Sequence, residues 1–152
     1  MQKMSWASNR TTIRIEDQAY CLISLLRVNI PPLYKEGIKA FQRLQLELLK
    51  ITDDESIFAW QYQILRTGNA SHYTYTPSLL ADSPAAFRES GNIIQSAFDI
   101  QRPPFLMTNK GIYIEVLIDP RNYKTPLIVP LNCKNQGKIV CLALEGLDCN
   151  GY

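Results

Sequence analysis

His72, four cysteines and the run Asp53-Asp54-Glu55 are the residues of this 152-residue chain best suited to chemistry. A serine or cysteine nucleophile needs an imidazole within hydrogen-bond reach. His72, the chain's single histidine, sits in Ser71-His72-Tyr73-Thr74-Tyr75, a stretch with no helical or strand period. The expectation there is a solvent-exposed loop histidine. Cys21 lies inside an apolar helical run and is expected to be buried. Cys133, Cys141 and Cys149 follow at even spacing, one per strand or turn, without the closely spaced pairs, about two to four residues apart, of a structural zinc site. Reduced, structural thiols are expected, with no metal and no cofactor. The run Asp53-Asp54-Glu55 lacks the spacing of a calcium loop and reads as a turn. Glu16 and Asp17 project in different directions from one helix and cannot share a proton as a dyad. No glycine-rich phosphate loop is present. No residue is assigned a catalytic role, and the expectation is a protein that is not an enzyme.

Recognition is the remaining kind of function. Trp6, Arg10, Thr12, Arg14, Glu16, Asp17, Tyr20 and Tyr34 form a dense polar and aromatic set around the start of the first confident helix. Its first reading is structural, with Arg14 bridging to a carboxylate and anchoring the incoming chain. A ligand or partner site is the second. Trp6 and Trp60 are expected as core or edge anchors, and Tyr20 and Tyr34 as partly buried with satisfied hydroxyls. Tyr62, Tyr73 and Tyr75 offer a stacking surface. However, sixteen Lys and Arg against fourteen Asp and Glu leave a net charge of +2, which argues against nucleic acid. The longest nearly apolar run, Ala19 to Leu26, is far short of a membrane span of about 20 residues. The N-terminus carries no secretory pattern. The expected location is cytoplasmic, with no membrane partner and the oligomeric state left open.

The elements that position these residues follow from periodicity. Ile15, Ala19, Leu22, Ile23 and Leu26 recur at helical spacing, and Cys21, Leu25 and Val28 widen that face almost all round. A largely buried helix is predicted from Ile15 to about Val28, with Thr12 as its cap and Asn29-Ile30-Pro31-Pro32 as its stop. A second helix is predicted from Glu36 or Gly37 to Ile51, with Ile38, Phe41, Leu44, Leu48 and Ile51 facing inward and Arg43 paired with Glu47. The two should pack as a hairpin. Ser83-Pro84 opens a short helix reaching Arg88 or Glu89, with Ser83 or Asp82 as cap. The period then changes. Ile112 to Ile118, Leu127 to Cys133 and Lys138 to Leu144 alternate as strands, with turns at Asn109-Lys110-Gly111 and Lys134-Asn135-Gln136-Gly137. Pro130 places the second of these at an edge or on a bulge. The predicted fold class is α+β: an N-terminal helical hairpin plus a short helix, then a three- or four-stranded, mostly antiparallel sheet.

The same segments resemble a known family. Ser5-Trp6-Ala7, Arg10, Thr11-Thr12, Arg14, Glu16-Asp17, Ala19-Tyr20 and Leu22 resemble the Ser-Trp-Ala-x-x-Arg-x-Thr-Thr-Arg-x-Glu-Asp-x-Ala-Tyr-x-Leu stretch of fungal heterokaryon-incompatibility (HET) domain proteins, with Ile13 as a departure. Asn29-Ile30-Pro31-Pro32-Leu33-Tyr34-Lys35-Glu36-Gly37 resembles that family's Asn-Met-Pro-Leu-Leu-Tyr-Gly-Glu-Gly. Further blocks at Ala40–Gln45, Ser56–Trp60, Leu79–Phe87, Thr108–Gly111 and Leu131–Cys133 extend the likeness over most of the chain. The resemblance implies that residues 1–60 correspond to the C-terminal end of a HET domain and residues 61–152 to an adjoining α+β region, together one compact unit. It implies a role in vegetative incompatibility, a self/non-self recognition with innate-immunity-like signalling. The partner would be the upstream HET segments or another protein. Lys35 stands where that family has glycine, so a positive φ there would strain the turn. Two alternatives stay open: a truncated or degenerate fragment without activity, and a small-molecule-binding or hydrolytic domain. A pocket joining His72 to Cys133 or to an acidic residue would favour the latter.

Overall fold

In the computed structural model the described residues are 2–61, 78–96, 102–116 and 127–144. They form an α+β fold in which helices pack with small antiparallel sheets. Three α-helices come first: α1 (Gln2–Ala7), α2 (Ile15–Leu26) and α3 (Lys39–Ile51). Short 3-10 helices follow at Glu55–Gln61, Pro84–Phe87 and Ser90–Asn92. The strands are β1 (Ile93–Gln95), β2 (Leu106–Thr108), β3 (Gly111–Tyr113), β4 (Leu127–Asn135) and β5 (Lys138–Leu144).

The predicted helical hairpin is present, because α2 packs on α3 through Ala19, Leu22, Phe41, Leu44 and Leu48. Its apolar stripes are narrower than periodicity suggested. Ile15 and Leu25 on α2, and Ile38 and Ile51 at the ends of the second stripe, are exposed. Leu49 and Gln45 are buried on α3 instead. A repeat of 3.6 residues gives the centre of a buried face, while its width depends on what lies opposite. Cys21 is half-buried for the same reason.

The helix ends also differ from expectation. Arg14, not Thr12, occupies the cap position of α2, and Thr12 donates its hydroxyl to the Arg14 carbonyl. α2 stops at Leu26 because Arg27 turns left-handed (φ 57°), letting the Val28 N–H reach the Ile23 carbonyl at 3.1 Å. That is the arrangement glycine usually provides. Arg43 pairs with Glu36 at 2.9 Å rather than with Glu47, which takes Lys50. Ser83 stands at the cap position of the Pro84–Phe87 turn without a side-chain hydrogen bond, and Asp82 accepts from Gln42 Nε2 at 3.2 Å.

α1 and β1 had no counterpart in the sequence reading. α1 buries Met4 and Ala7 and sends Lys3 Nζ to the Leu25 carbonyl, where the C-terminal end of α2 carries negative partial charge. Its Ser5 hydroxyl reaches the Arg88 carbonyl at 3.1 Å. A Cβ on Gly91 would stand 3.0 Å from that hydroxyl, so a larger residue there would require the Ser5 side chain to shift.

β1, β4 and β5 form one antiparallel sheet with β4 central. β2 and β3 form a separate hairpin, so the alternation predicted from Ile112 is a strand only through Tyr113. Residues 117 and 118 of that stretch lie outside the described residues. β4 pairs with β5 from Leu127↔Leu144 to Pro130↔Cys141, then again at Lys134↔Ile139, with a bulge between. Proline has no N–H for the ladder, and the bulge accommodates it on a central strand. One apolar core runs from Met4 and Leu22 through Phe58 and Phe87 to Val129, Val140 and Leu142. Among the described residues, no helix is long and apolar enough to cross a membrane.

Candidate functional site

The segment after α2 has almost no regular structure of its own, so side chains from the helices hold it. Tyr20, on α2, accepts the Leu33 N–H at 2.9 Å and donates to the Leu33 carbonyl. Burial raises its pKa, because ionisation there would lose solvation. Arg43, on α3, reaches the Pro31 carbonyl and Glu36, both at 2.9 Å. Glu16, in the first turn of α2, is buried and accepts the Lys35 N–H at 3.1 Å. Backbone N–H groups, its own and that of Lys35, hold the Glu16 carboxyl below the ordinary range, with Arg14 adding to the effect. Lys35 has φ 76° and Gly37 φ 58°. Lysine thus stands in the backbone conformation that glycine would hold without strain.

On this scaffold the aromatic and cationic side chains face outward. The Arg10 guanidinium lies 3.9 Å above the Trp6 ring, and that of Arg14 lies 5.2 Å above Tyr34. Tyr34 in turn meets Tyr20 edge-to-face at 5.9 Å. Trp6 is 52% exposed and so not a core anchor, and Tyr34, at 60% exposed, is not the partly buried residue expected. Arg14 stacks on an aromatic ring instead of bridging a carboxylate, because Glu16 is already occupied by backbone donors. Asp17 is half-buried, its N–H bonded to the Arg14 carbonyl at 3.2 Å. Thr12 serves the same carbonyl through its hydroxyl. Ile13 projects fully into solvent, and Leu33 and Ile38 are also exposed. Such a face can bind another surface.

A second polar constellation was not visible in the sequence. Glu55 and Arg102 pair at 2.9 Å with side chains only 8% exposed. Glu55 Oε2 also accepts the Asn132 N–H at 2.7 Å, and Arg102 Nη2 donates to the Pro130 carbonyl at 2.6 Å. The pair therefore satisfies backbone groups that the β4 bulge removes from the ladder. The run read as a simple turn divides its labour. Asp54 caps the following 3-10 helix by accepting the Ser56 N–H at 3.0 Å, Glu55 turns inward, and Asp53 stays exposed. Beside the pair lies a cavity of about 290 Å³ between the β2–β3 hairpin and the sheet, lined by Phe58, Leu79, Ile112, Ile114, Val129 and Leu142 among others.

Cys133 is buried on β4, and desolvation, then the charges of Asp54 and Glu55, push its thiol up to about 12. Cys141, on β5, is raised by desolvation. Cys21, Cys133 and Cys141 are free thiols. Among the described residues no group of three or more metal-ligating side chains occurs. Trp60 is half-buried and donates Nε1–H to the Leu79 carbonyl at 3.1 Å, the edge anchor anticipated for it. His72, Tyr62, Tyr73, Tyr75 and Cys149 lie outside the described residues.

Comparison with known proteins adds one likeness. A family model described as a domain of unknown function (DUF8212) matches residues 39–102, less than half of the chain. That span begins with α3 and contains both Glu55 and Arg102. No curated protein and no solved structure matches.

Proposed function

We propose that this chain is a non-enzymatic interaction module of a HET-type incompatibility protein, and that the Trp6–Tyr34 face docks a HET-type domain. The observation that carries this reading is the pair of exposed, stacked arginine–aromatic couples, Arg10 on Trp6 and Arg14 on Tyr34. Trp, Tyr and Arg are the residues that most often dominate binding energy at protein interfaces. Stacking holds each guanidinium in place before binding, so less side-chain entropy is lost on association. Exposed Ile13 and Leu33 add apolar area.

Charge specifies the partner further. Glu16, the buried carboxylate at this face, spends an oxygen on the Lys35 N–H, whereas Arg10, Arg14 and Lys35 are exposed cations. The complementary surface is acidic. The resemblance of residues 5–22 and 29–37 to the C-terminal end of HET domains supports a HET-type partner. On this reading residues 1–60 form the junction and residues 61–152 the adjoining region, and the module acts in the cytoplasm without a cofactor.

Isothermal titration of the chain with a purified fungal HET domain tests this. The expected result is saturable binding that weakens at least about tenfold in Arg14→Ala and in Tyr34→Ala, with thermal unfolding little changed because both side chains are exposed. Absence of binding, or binding indifferent to both substitutions, overturns the proposal.

A further inference from the structure

We infer that the outer edge of β1 takes up an extended, uncharged peptide segment of another protein as an added strand. The inference is independent of the Trp6–Tyr34 face, which lies on other residues. β1 is an edge strand: among the described residues no strand pairs with its side away from β4. The register shows which of its main-chain groups are open. Ser96 donates its N–H to the Asn132 carbonyl at 2.9 Å, in step with the pairing from Ile93↔Asn135 to Gln95↔Cys133. In an antiparallel ladder such groups alternate, so Ile94 and Ser96 turn theirs toward β4 while Ile93 and Gln95 turn theirs outward. The Ile93 N–H is spent on the Ser90 carbonyl. The Ile93 carbonyl and both main-chain groups of Gln95 are left at the open edge.

A groove of about 580 Å³ runs beside that edge, between β1 and the ends of α1 and α3. Ile93, Ile94 and Gln95 all line it. Successive side chains of a strand point to opposite faces, so a groove that touches all three follows the edge and not one face of the sheet. Ile94 on the strand and Ile51 on α3 are exposed there, and Leu26 is half-buried between them and the floor. An open strand edge beside a groove closed by a helix is the arrangement in which a peptide is held by main-chain hydrogen bonds and selected by alternate side chains. The edge therefore names the occupant: it needs a donor and acceptors at strand spacing, which an extended backbone supplies. Its charge follows from the rim, where Lys3 and Asp54 offset each other. The segment that fits is neutral, with an apolar residue seated between Ile51 and Ile94.

The test titrates the full, isotope-labelled chain with the peptide acetyl-Thr-Val-Leu-Val-Thr-amide and follows backbone amides by NMR. Two further probes carry backbone N-methyl groups, one on both valines and the other on the leucine. Alternate amides of an added strand face β1 and solvent, so one methylated peptide should lose binding and the other keep it. The parent peptide should bind saturably, with its largest shifts at Ile94 and Gln95 and slowed exchange of the Gln95 N–H. Gln95→Pro removes that donor while sparing the β4 ladder, because the N–H points away from β4, and should weaken binding about fivefold, the ratio one hydrogen bond supplies. Should that variant unfold, the two methylated peptides decide alone. The inference is overturned if the parent peptide does not saturate, if the shifts centre away from β1, or if both methylated peptides behave alike.

Discussion

The carboxylate of Glu16 accepts the backbone N–H of Lys35 at 3.1 Å, and Lys35 is held there at φ 76°. A buried acid in the first turn of α2 thus anchors the most strained peptide of the loop that presents Tyr34. The helix fixes the loop, the loop fixes the tyrosine, and the tyrosine carries the Arg14 guanidinium on its ring. Recognition at this face is built on a main-chain contact.

Lys35→Gly should stabilise the protein by about 0.5–1 kcal/mol. Relief of the left-handed strain, about 1–2 kcal/mol, exceeds the added flexibility of glycine in the unfolded chain. Lys35→Ala keeps the strain and should show no such gain. Urea unfolding of the three proteins measures the difference.

Glu16 makes stability depend on acid. Its folded pKa lies below the ordinary 4.5, so the unfolded chain binds the proton more readily. The stabilisation is fully present above 4.5 and is lost as pH falls through the lowered folded value. Glu16→Gln, which retains an oxygen for the Lys35 N–H, should remove that portion of the acid sensitivity. Thermal unfolding of both proteins between pH 6 and pH 2, on the order of one-unit steps, gives the comparison.

Gln45 is fully buried on α3, and its amide pairs with the Ala81 peptide, accepting from N–H at 3.0 Å and donating to C=O at 2.7 Å. Gln45→Leu would leave both Ala81 groups unpaired in the core, at a cost of about 2–5 kcal/mol despite the added hydrophobicity. Denaturant unfolding should show a loss in that range. An unchanged midpoint would mean that the 78–83 segment is not held through this amide.

Removing both members of the Glu55–Arg102 pair should cost less than the two single removals added together. Arg102→Met leaves a buried carboxylate without its cation, at about 3–5 kcal/mol. The double variant Glu55→Leu/Arg102→Met should fall well short of the summed single losses, since no uncompensated charge remains. A double-mutant cycle by chemical denaturation provides the coupling; additive losses would contradict a buried, coupled pair.

Thiol reactivity should divide by burial. With its thiol up at about 12 and its sulfur enclosed, Cys133 should resist iodoacetamide at pH 8 in the folded protein. Half-buried Cys21 should react well before it, and Cys133 should become reactive once the chain is unfolded in urea. Mass spectrometry of digests taken over time reads the order directly.

Local pattern carried much of the architecture. The stripes centred on Ala19 and Leu22 and on Phe41, Leu44 and Leu48 mark the helix pair, and the alternation before and after Gln136-Gly137 marks the β4–β5 hairpin. Pro130 signalled the bulge, since a residue without an N–H cannot complete the ladder. Lys35, standing where the resembling family has glycine, signalled the positive φ. α1 and β1 stayed hidden because elements of six and three residues are too short to express a period.

What the residues determined by themselves, therefore, was the α+β class, the cores of its longer elements and the aromatic–arginine composition of the N-terminal face. Tertiary structure alone decided that Glu16 would grip the Lys35 peptide, that Arg14 would settle on Tyr34 rather than on a carboxylate, and that Glu55 would leave an acidic run to meet Arg102 forty-seven positions away. The physical reason is range. Periodicity and turn chemistry act between neighbours along the chain, whereas a buried polar group selects its partner by proximity in space, and only the packed chain brings those partners together.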